Sequence, residues 1–399
     1  MTLIAPCPPC SPWFQSLFQI WGGHLVDLAR KNLLHDKLRF FITVSGVAFA
    51  VTLVLVQVGL FAGLLANATV TIEHLPADIW VVPKKTPNID FGNVFSETAV
   101  QRVQSVPGVE RADNIIVGYL YIALPNGVRE SILVYALEDF SYWRFPWAVT
   151  AGNVEDLRRG RYFFLDESAA KRFGPFAVGD YREILGHRLK IIGTTREAAS
   201  FTTIPIAFMD YRIAQTLLGR EWQGRTTYIV VKLAPGADPA AAKAEIQHRL
   251  PYNDVHTKAE WARISRDYWI DNTGIGFNMY MTVLLGCLVG VVIVAQTLYA
   301  STMEHLKEFG TVKAIGGSNG DIYKILAEQA LISALVGYVL GVIPAFALIP
   351  AIEKAGIHLM LSPQLLAAVF AGTVVMCLLA AMVSFRKVAT IDPALVFRG

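Results

Sequence analysis

The sequence predicts an α-helical membrane protein with four transmembrane helices and a mixed α/β extracytoplasmic domain between the first and second of them. Three observations carry this. The 399 residues are 54% hydrophobic and 17% charged, with a mean hydropathy of +0.43, too apolar for a soluble chain of this length. Four stretches without Asp, Glu, Lys or Arg exceed the roughly 20 residues that a span needs. They lie between Arg39 and Glu73, Asp271 and Glu304, Glu328 and Glu353, and Lys354 and Arg386. The residues between the first two have ordinary mixed composition, so they read as a large domain outside the bilayer.

Residues 1–38 form a cytosolic N-terminus. Within it Trp13, Phe14, Leu17, Phe18, Ile20, Trp21, Leu25, Leu28 and Leu33 recur among polar positions up to a basic cluster, as on an amphipathic helix lying in the interface. The first span, residues 39–66, continues outward as a stalk from Asn67 to His74. Its Gly59 and Gly63 form a small-xxx-small pair, as do Gly286 with Gly290 in the second span and Gly337 with Gly341 in the third; such pairs let helices pack closely in lipid. The Asn67-Ala-Thr69 sequon matters only in a eukaryotic secretory setting.

The extracytoplasmic domain, residues 67–274, opens with a strand ending at Pro83. A helix from Glu97 to Ser105 stops at Pro107-Gly108, and Val109–Leu124 and Val128–Leu137 flank Asn126-Gly127, a strong hairpin signal. Strands follow at Arg161–Leu165, Leu189–Gly193 and Thr226–Leu233, with a helix at Glu167–Phe173. Asp238-Pro239 supplies an N-cap and first-turn proline for a helix to Leu250, and Thr257 to Glu260 is a capping box that starts the helix returning to the membrane. The result is a mixed α/β domain of one or two lobes. Aromatic residues Trp80, Trp143, Phe145, Trp147 and Phe176 read as its core rather than as a ligand surface.

The second span covers residues 275–302, the third 326–350 and the fourth 362–385, with a short external loop at 351–361 and a cytosolic tail at 386–399. Orientation follows from the short flanks, where Lys and Arg gather on the cytosolic side. Arg30, Lys31, Lys37 and Arg39 precede the first span; Lys307, Lys313 and Lys324 lie between the second and third; Arg386, Lys387 and Arg398 follow the fourth. The external loop carries only Lys354. Both termini and the 303–325 segment are therefore expected in the cytosol.

Several chemistries are missing. No GxxxxGK[ST] phosphate loop occurs, so the chain does not hold a nucleoside triphosphate in the usual way. The spans carry no charge at mid-depth, which argues against an ion-coupled pump, and their polar exceptions Gln57 and Gln296 are expected to bond across helices. Cys287 and Cys377 sit in spans, and Cys7 with Cys10 forms a lone CPPC without the two further ligands that zinc needs. No metal and no catalytic residue is expected. Gly316-Gly-Ser318-Asn-Gly320 matches the GxSxG pattern of hydrolase nucleophile elbows, but the residues before Ser318 look helical, so a glycine-rich turn between helices is the better reading.

The 303–325 segment is charged and lies between two apolar spans, with Phe309, Val312, Ile315, Ile322 and Ile325 spaced as on one helix face. It reads as a cytosolic element that touches a partner. Its Glu308-Phe-Gly310-Thr-Val-Lys313-Ala314-Ile315-Gly316, together with the layout of one span, a large outer domain and three spans, resembles the permease subunits of MacB, FtsX and LolC/LolE type ABC systems. Val106-Pro-Gly-Val109, Val178-Gly-Asp180 and the Val231–Asp238 stretch are similar to family habits as well. Lys37 to Phe40, Gly46 to Ala50, Gln57 to Gly59 and Ala77 to Trp80 look most like the DevC branch.

The resemblance implies a MacB-like periplasmic domain, a bacterial inner-membrane location and a non-catalytic subunit. It implies a dimer of permeases on a dimer of separate ATPases, which bind the ATP and Mg; the first 38 residues are too few for such a domain. Glu304, Lys307, Glu308, Phe309, Gly310, Thr311, Val312, Lys313, Ala314, Ile315 and Gly316 would then form the ATPase-coupling element, with Glu308 and Lys313 setting its register. Motion would travel along the stalks to the outer domain, and a membrane-fusion protein and outer-membrane duct would complete an exporter of lipids or other amphiphiles. The alternative is an FtsX-like regulator that controls a periplasmic cell-wall hydrolase and moves no cargo. A third reading, a membrane-bound hydrolase using Ser318, is the weakest.

Overall fold

The computed structural model describes residues 37–305, 311, 318–354 and 358–389. The interfacial helix expected at 13–37 lies outside them but for its last residue, and the expected tail lies outside them from residue 390. The chain divides into two compact units: one contains residues up to Gly59, Met279–Ala351 and Met360 onward, and the other Leu60–Asn278 and Ile352–Leu359.

The apolar runs form four long helices, each long and apolar enough to cross a membrane. Helix α1 (Lys37–His74) runs unbroken through the first predicted span and its stalk, about 57 Å at 1.5 Å per residue. After it come the short helices α2 (Ala99–Gln104), α3 (Phe140–Trp143), α4 (Ala169–Phe173) and α5 (Tyr211–Leu218) of the outer unit. Two more, α6 (Pro239–Arg249) and α7 (Lys258–Asp271), precede the apolar helices α8 (Ile275–Glu304), α9 (Asn319–Lys354) and α10 (Pro363–Ala389). Helix α9 starts at Asn319 because Ser318 caps it, so Asn319–Ile325 belongs to the third apolar helix rather than to a separate cytosolic element.

The outer unit is built on one sheet. Its strands are β1 (Ile79–Pro83), β2 (Phe95–Ser96), β3 (Val109–Ala123), β4 (Arg129–Leu137), β5 (Val149–Ala151) and β6 (Tyr162–Asp166), followed by β7 (Tyr181–Ile184), β8 (His187–Thr195), β9 (Ile206–Asp210), β10 (Arg225–Thr226), β11 (Tyr228–Leu233) and β12 (Asn253–Thr257). The order is β12-β1-β11-β3-β4-β9-β6-β8-β5, with β7 joining β8 back to β3, while β2 and β10 pair separately. Pairs β4/β9 and β6/β8 are parallel and the others antiparallel. The strands β3, β4, β9, β6, β8 and β7 therefore close into a ring.

Long β3 belongs to both halves: Val109–Ile115 pairs with β11 and Ile115–Ala123 with β4. The two-lobe alternative thus resolves into two regions sharing one strand. The hairpin turn after β3 forms as its Asn-Gly predicts, with Gly127 at φ +82° and the Asn126 Oδ1 accepting from Val128 N–H.

Alternation along the strands separates the cores. Ile116, Leu120, Ile132 and Val134 face one core with Phe163, Leu165 and Met209, while Ile115, Val117, Leu133 and Tyr135 face a second with Trp80, Trp143, Phe145, Trp147 and Phe208. Four of the five singled-out aromatics are thus buried; Phe176 packs at the margin of the first of these cores. The end of α1, through Ile72 and Leu75, and Trp261 of α7 complete the aromatic core.

Candidate coupling and transmission sites

In the membrane unit α8 and α9 pack closely against α1. A Cβ built on Gly286 would lie 2.9 Å from Leu53 Cδ2, and one on Gly290 would lie 3.1 Å from Ala50 Cβ and 2.9 Å from Met376 Sδ. On the other side, one on Gly337 would meet Val47 Cβ at 2.6 Å and one on Gly341 the Ala48 carbonyl at 2.7 Å. Thr52 Oγ1 donates to the Gly341 carbonyl at 2.8 Å, a polar bond that this close approach permits. Gly59 offers its carbonyl to Met360 N–H at 3.1 Å. In the outer unit Gly63 faces the His358 carbonyl so closely that no side chain fits between them. Helix α10 is fixed by Ser384 Oγ donating to the Ala295 carbonyl at 3.0 Å and Tyr338 Oη donating to Leu366 at 3.0 Å.

Of the coupling residues, Glu304 and Thr311 are described, whereas Lys307, Glu308, Phe309, Gly310, Val312, Lys313, Ala314, Ile315 and Gly316 lie outside the described residues. Glu304 ends α8 and pairs with Arg39 at the start of α1, one guanidinium nitrogen lying 2.9 Å from Glu304 Oε1 and the other still closer to Oε2. This bidentate pair ties the end of α8, from which the segment leaves, to the start of α1.

Ile322 and Ile325, expected on the partner-facing side, are buried within their own unit. Their spacing belongs to the inner face of α9. Ser318 is a helix cap: its backbone and hydroxyl donate to Asp321 Oδ2 at 2.9 and 2.7 Å, and its Oγ accepts Asp321 N–H at 3.2 Å. That is the bonding of a helix cap rather than of a nucleophile held by a base, and Gly316 and Gly317 of the expected turn lie outside the described residues. Gln296 and Gln57 do not bond across helices: among the described residues neither amide has a hydrogen-bond partner, and Gln296 is exposed.

The outer unit adds a site that the sequence reading passed over, where α1 ends and α7 begins. Thr257 caps α7 reciprocally with Glu260, and the Lys243 ammonium 2.6 Å away holds the Glu260 carboxyl at about 2. The next residue, Lys258, is a cation at a helix start, where the macrodipole is unfavourable. Its ammonium reaches across to the Glu73 carbonyl in the last turn of α1 at 2.7 Å and to the Leu75 carbonyl just past it at 2.9 Å, where a cation is favoured. Burial lowers its pKa despite nearby Glu73 and Asp78. Glu73 also meets Arg266 of α7 at 3.3 Å, and His74 stacks on Trp147 with ring centroids 4.8 Å apart. The misplaced basic residue inside the capping box is the signal that could have found this joint.

Asp90 is buried in the same unit, among tyrosines. Asn88 Oδ1 turns the loop by accepting from the Asp90 and Phe91 amides, and Tyr228 donates to the Asn88 and Ile89 carbonyls. The Tyr135 hydroxyl stands 3.5 Å from Asp90 Oδ1, and Oδ2 has no partner among the described residues. Burial pushes this carboxyl up to about 7, which the Tyr135 contact only partly offsets.

Residues 40–249 match the family described as MacB-like periplasmic core domain, and residues 280–393 match FtsX-like permease C-terminal. The chain is similar to an uncharacterised ABC transporter permease of Mycobacterium tuberculosis, 27% identical over 386 residues, covering 93% of this chain and 99% of that one. An uncharacterised ABC transporter permease of Methanocaldococcus jannaschii is 21% identical over 415 residues, covering 94% and 98%. Among solved structures, the periplasmic region of MacB from Actinobacillus actinomycetemcomitans aligns at 13% identity and TM-score 0.37, over 51% of this chain and 96% of that one. The extracellular domain of the transporter YknZ from Gram-positive bacteria aligns at 14% identity and TM-score 0.35, over 45% and 98%.

Proposed function

Because the chain belongs to the MacB- and FtsX-like permeases of ABC transporters, we propose that it is the non-catalytic membrane subunit through which a separate ATPase moves an extracytoplasmic domain. The observation that carries this reading is α1. One uninterrupted helix is paired at Arg39 with Glu304, the residue that leads into the coupling segment, and is buried at its other end through Ile72 and Leu75. A stiff rod held at both ends transmits displacement without needing a channel through the bundle. The described bundle is small-residue packed, and its spans carry no charged relay at mid-depth.

In this reading Glu308 to Gly316 seats on the ATPase, Phe309, Val312 and Ile315 fill a groove there, and two permeases share two ATPase subunits. Both termini face the cytosol. The cargo is a lipid or other amphiphile, passed on by a membrane-fusion protein and an outer-membrane duct in the manner of the DevC branch.

The test is affinity capture of the tagged chain from native membranes, with the captured proteins identified by mass. Recovery of an ATPase and a fusion protein is expected, and the double change Glu308→Ala with Phe309→Ala should lower ATPase recovery about tenfold, near 1.4 kcal/mol, while the chain still inserts. Wild-type chain that brings down no ATPase would defeat the reading. An ATPase accompanied by a cell-wall hydrolase would favour the regulator instead.

A further inference from the structure

One end of the strand ring in the outer unit carries two turns with exposed apolar residues. Strands β7 and β8 are joined by Leu185-Gly186, with Ile184 opposite His187, and both turn residues have positive φ, +48° and +81°. A turn of that geometry favours Asn or Asp before the Gly, and a leucine adopts it against its backbone preference. Leu185 is nonetheless 42% exposed, and Val128, at the end of the β3–β4 turn, is 48% exposed. The Leu185 amide donates to the carbonyl of exposed Tyr121 at 3.3 Å, near the end of β3. Strand β3 lies between the two turns, so all three side chains belong to the same end of the ring.

Two contacts within the outer unit put that end at the height of the lipid headgroups. Glu353 is the first charged residue after the third apolar run and stands in the last turn of α9, where that span leaves the hydrocarbon. Its carbonyl accepts from the Lys171 ammonium of α4. The neighbouring Arg172 pairs at 3.0 Å with Glu130, which follows Val128 closely in β4. Independently, β9 runs parallel to β4 with Leu133 opposite Ile206, so the loop carrying Phe201 enters the ring at the end where Val128 does. Phe201 packs with Ala68, Leu64 and Leu65, where the first span gives way to its stalk. Tyr252 marks the opposite end, because Asn253 pairs with Pro83, the end of β1 away from α1.

We infer that this end of the ring rests on the bilayer, with Val128, Leu185 and Tyr121 entering the headgroup layer. Exposed Arg129, Lys171, Arg172 and Arg188 surround them and outweigh Glu130 and Glu183. Neither Arg129 nor Arg188 has a carboxylate partner among the described residues. Apolar tips ringed by cations gain twice from an anionic lipid surface: apolar area leaves water, and the cations meet phosphates. Tyrosine suits the same layer, with its ring toward the acyl chains and its hydroxyl toward water. The bilayer already stands at this height, so the tips reach it without a further molecule. This goes beyond the permease reading, since it stands on the spans and the outer unit and needs no ATPase.

The experiment uses the full chain in vesicles of equal parts phosphatidylcholine and phosphatidylglycerol, after Cys7, Cys10, Cys287 and Cys377 have been replaced by Ser or Ala. A polarity-sensitive fluorophore on Val128→Cys or Leu185→Cys should emit to the blue and be quenched by phospholipid bearing a headgroup nitroxide. On Tyr252→Cys, which replaces a residue 85% exposed, it should emit as in water and stay unquenched. Water-like emission at both tips, equal quenching at position 252, or tips shielded from water yet unquenched by the nitroxide lipid would overturn the inference; the last would mean that protein covers them. Arg129→Glu with Arg188→Glu should lower quenching at position 185 about twofold or more, and no change would count against the phosphate contacts. The unaltered chain gives a reading free of any folding defect: a photoactivatable phospholipid should attach within 121–130 and 181–188 and not within 250–256, and the reverse would defeat the inference. ATPase recovery from native membranes bears on the permease reading alone, so the two can fail separately.

Discussion

The outer unit buries far more apolar residues than the membrane unit, and the two units do so with opposite materials. In the bundle the tight contacts are Gly290 on Ala50, Gly337 on Val47 and Gly341 on Ala48, and its buried residues include Ala330, Ala334, Ala345, Ala380 and Ala381. In the outer unit they are Trp80 on Tyr228 at 6.2 Å, Phe145 on Phe208 at 4.9 Å and Tyr228 on Trp261 at 5.9 Å. Solvent explains the difference. In water, covering a large ring removes apolar area from solvent and is favourable in proportion to that area. In lipid the same ring loses nothing by staying exposed, so helices gain only from close approach, and small residues give it.

The comparison is tested hardest at Trp261. This ring is fully buried between Tyr228 and the stacked His256, and Trp261→Ala should destabilise the outer unit by about 3–5 kcal/mol, read as loss of its cooperative unfolding transition in the full-length protein. An effect below about 1 kcal/mol would mean that aromatic burial is not what holds that unit.

Asp90 should move stability the other way. Its carboxyl stays protonated in the folded protein to about 7, while an unfolded chain releases the proton near its ordinary value of 3.8. Between those values the unfolded state loses a proton that the folded state keeps, so stability falls as pH rises through that window and is flat above it. Glu73 and Arg266 on the two helices pair with each other, and the titratable groups that feel the carboxyl are Tyr119, Tyr135 and Tyr228. Asp90→Asn should therefore stabilise the full-length protein by up to roughly 4 kcal/mol at pH 8 and by nearly nothing at pH 4. Equal melting shifts at both pH values would show that the carboxyl is not held neutral.

In the bundle the effect should be smaller and should depend on backbone distance. Gly341→Ala forces a methyl to within 2.7 Å of a backbone carbonyl, which cannot turn aside, whereas Gly372→Ala meets nothing within 4 Å. The first change should cost about 1–3 kcal/mol in a denaturing-detergent titration and the second close to zero. Equal costs would dissolve the contrast between the units.

Much of this was open to reading from the sequence, and the failures are instructive. The four apolar helices, the Asn126-Gly127 hairpin and the caps at Asp238 and Thr257 are local signals, and each element formed where its signal stands. Strand β12 was not anticipated because Asn253, Asp254 and His256 interrupt its pattern; it is held by pairing with β1, a contact distant in sequence. Strands β5 and β7 are short and largely exposed, which erases alternation. Ile322 and Ile325 misled for a related reason: helical spacing marks a buried face without saying what buries it. Gln296 was assigned a partner because buried amides need one, yet its position on the outside of α8 depends on how helix faces are chosen, which the sequence does not display. Asp90 sits in a turn-like Asn-Ile-Asp-Phe-Gly stretch whose burial comes wholly from tertiary packing.

The smallest effect falls at the cap of α7 and sharpens the comparison at a place where the outer unit relies on polar bonds. Thr257 Oγ1 accepts the Glu260 amide at 3.3 Å, and Glu260 returns a bond to the Thr257 amide at 2.8 Å. Thr257→Ala removes the first bond and leaves the second, so about 1 kcal/mol is expected. The loss should appear locally, as faster amide exchange in the first turn of α7. Lys258 makes the outcome informative beyond its size, since its bonds to the Glu73 and Leu75 carbonyls hold the same turn against the end of α1. If those bonds fix the turn by themselves, exchange in Thr257→Ala will stay at the wild-type rate until Lys258→Met is added. If the cap fixes it, Thr257→Ala will be enough, and the Lys258 bonds will prove to serve α1 rather than α7.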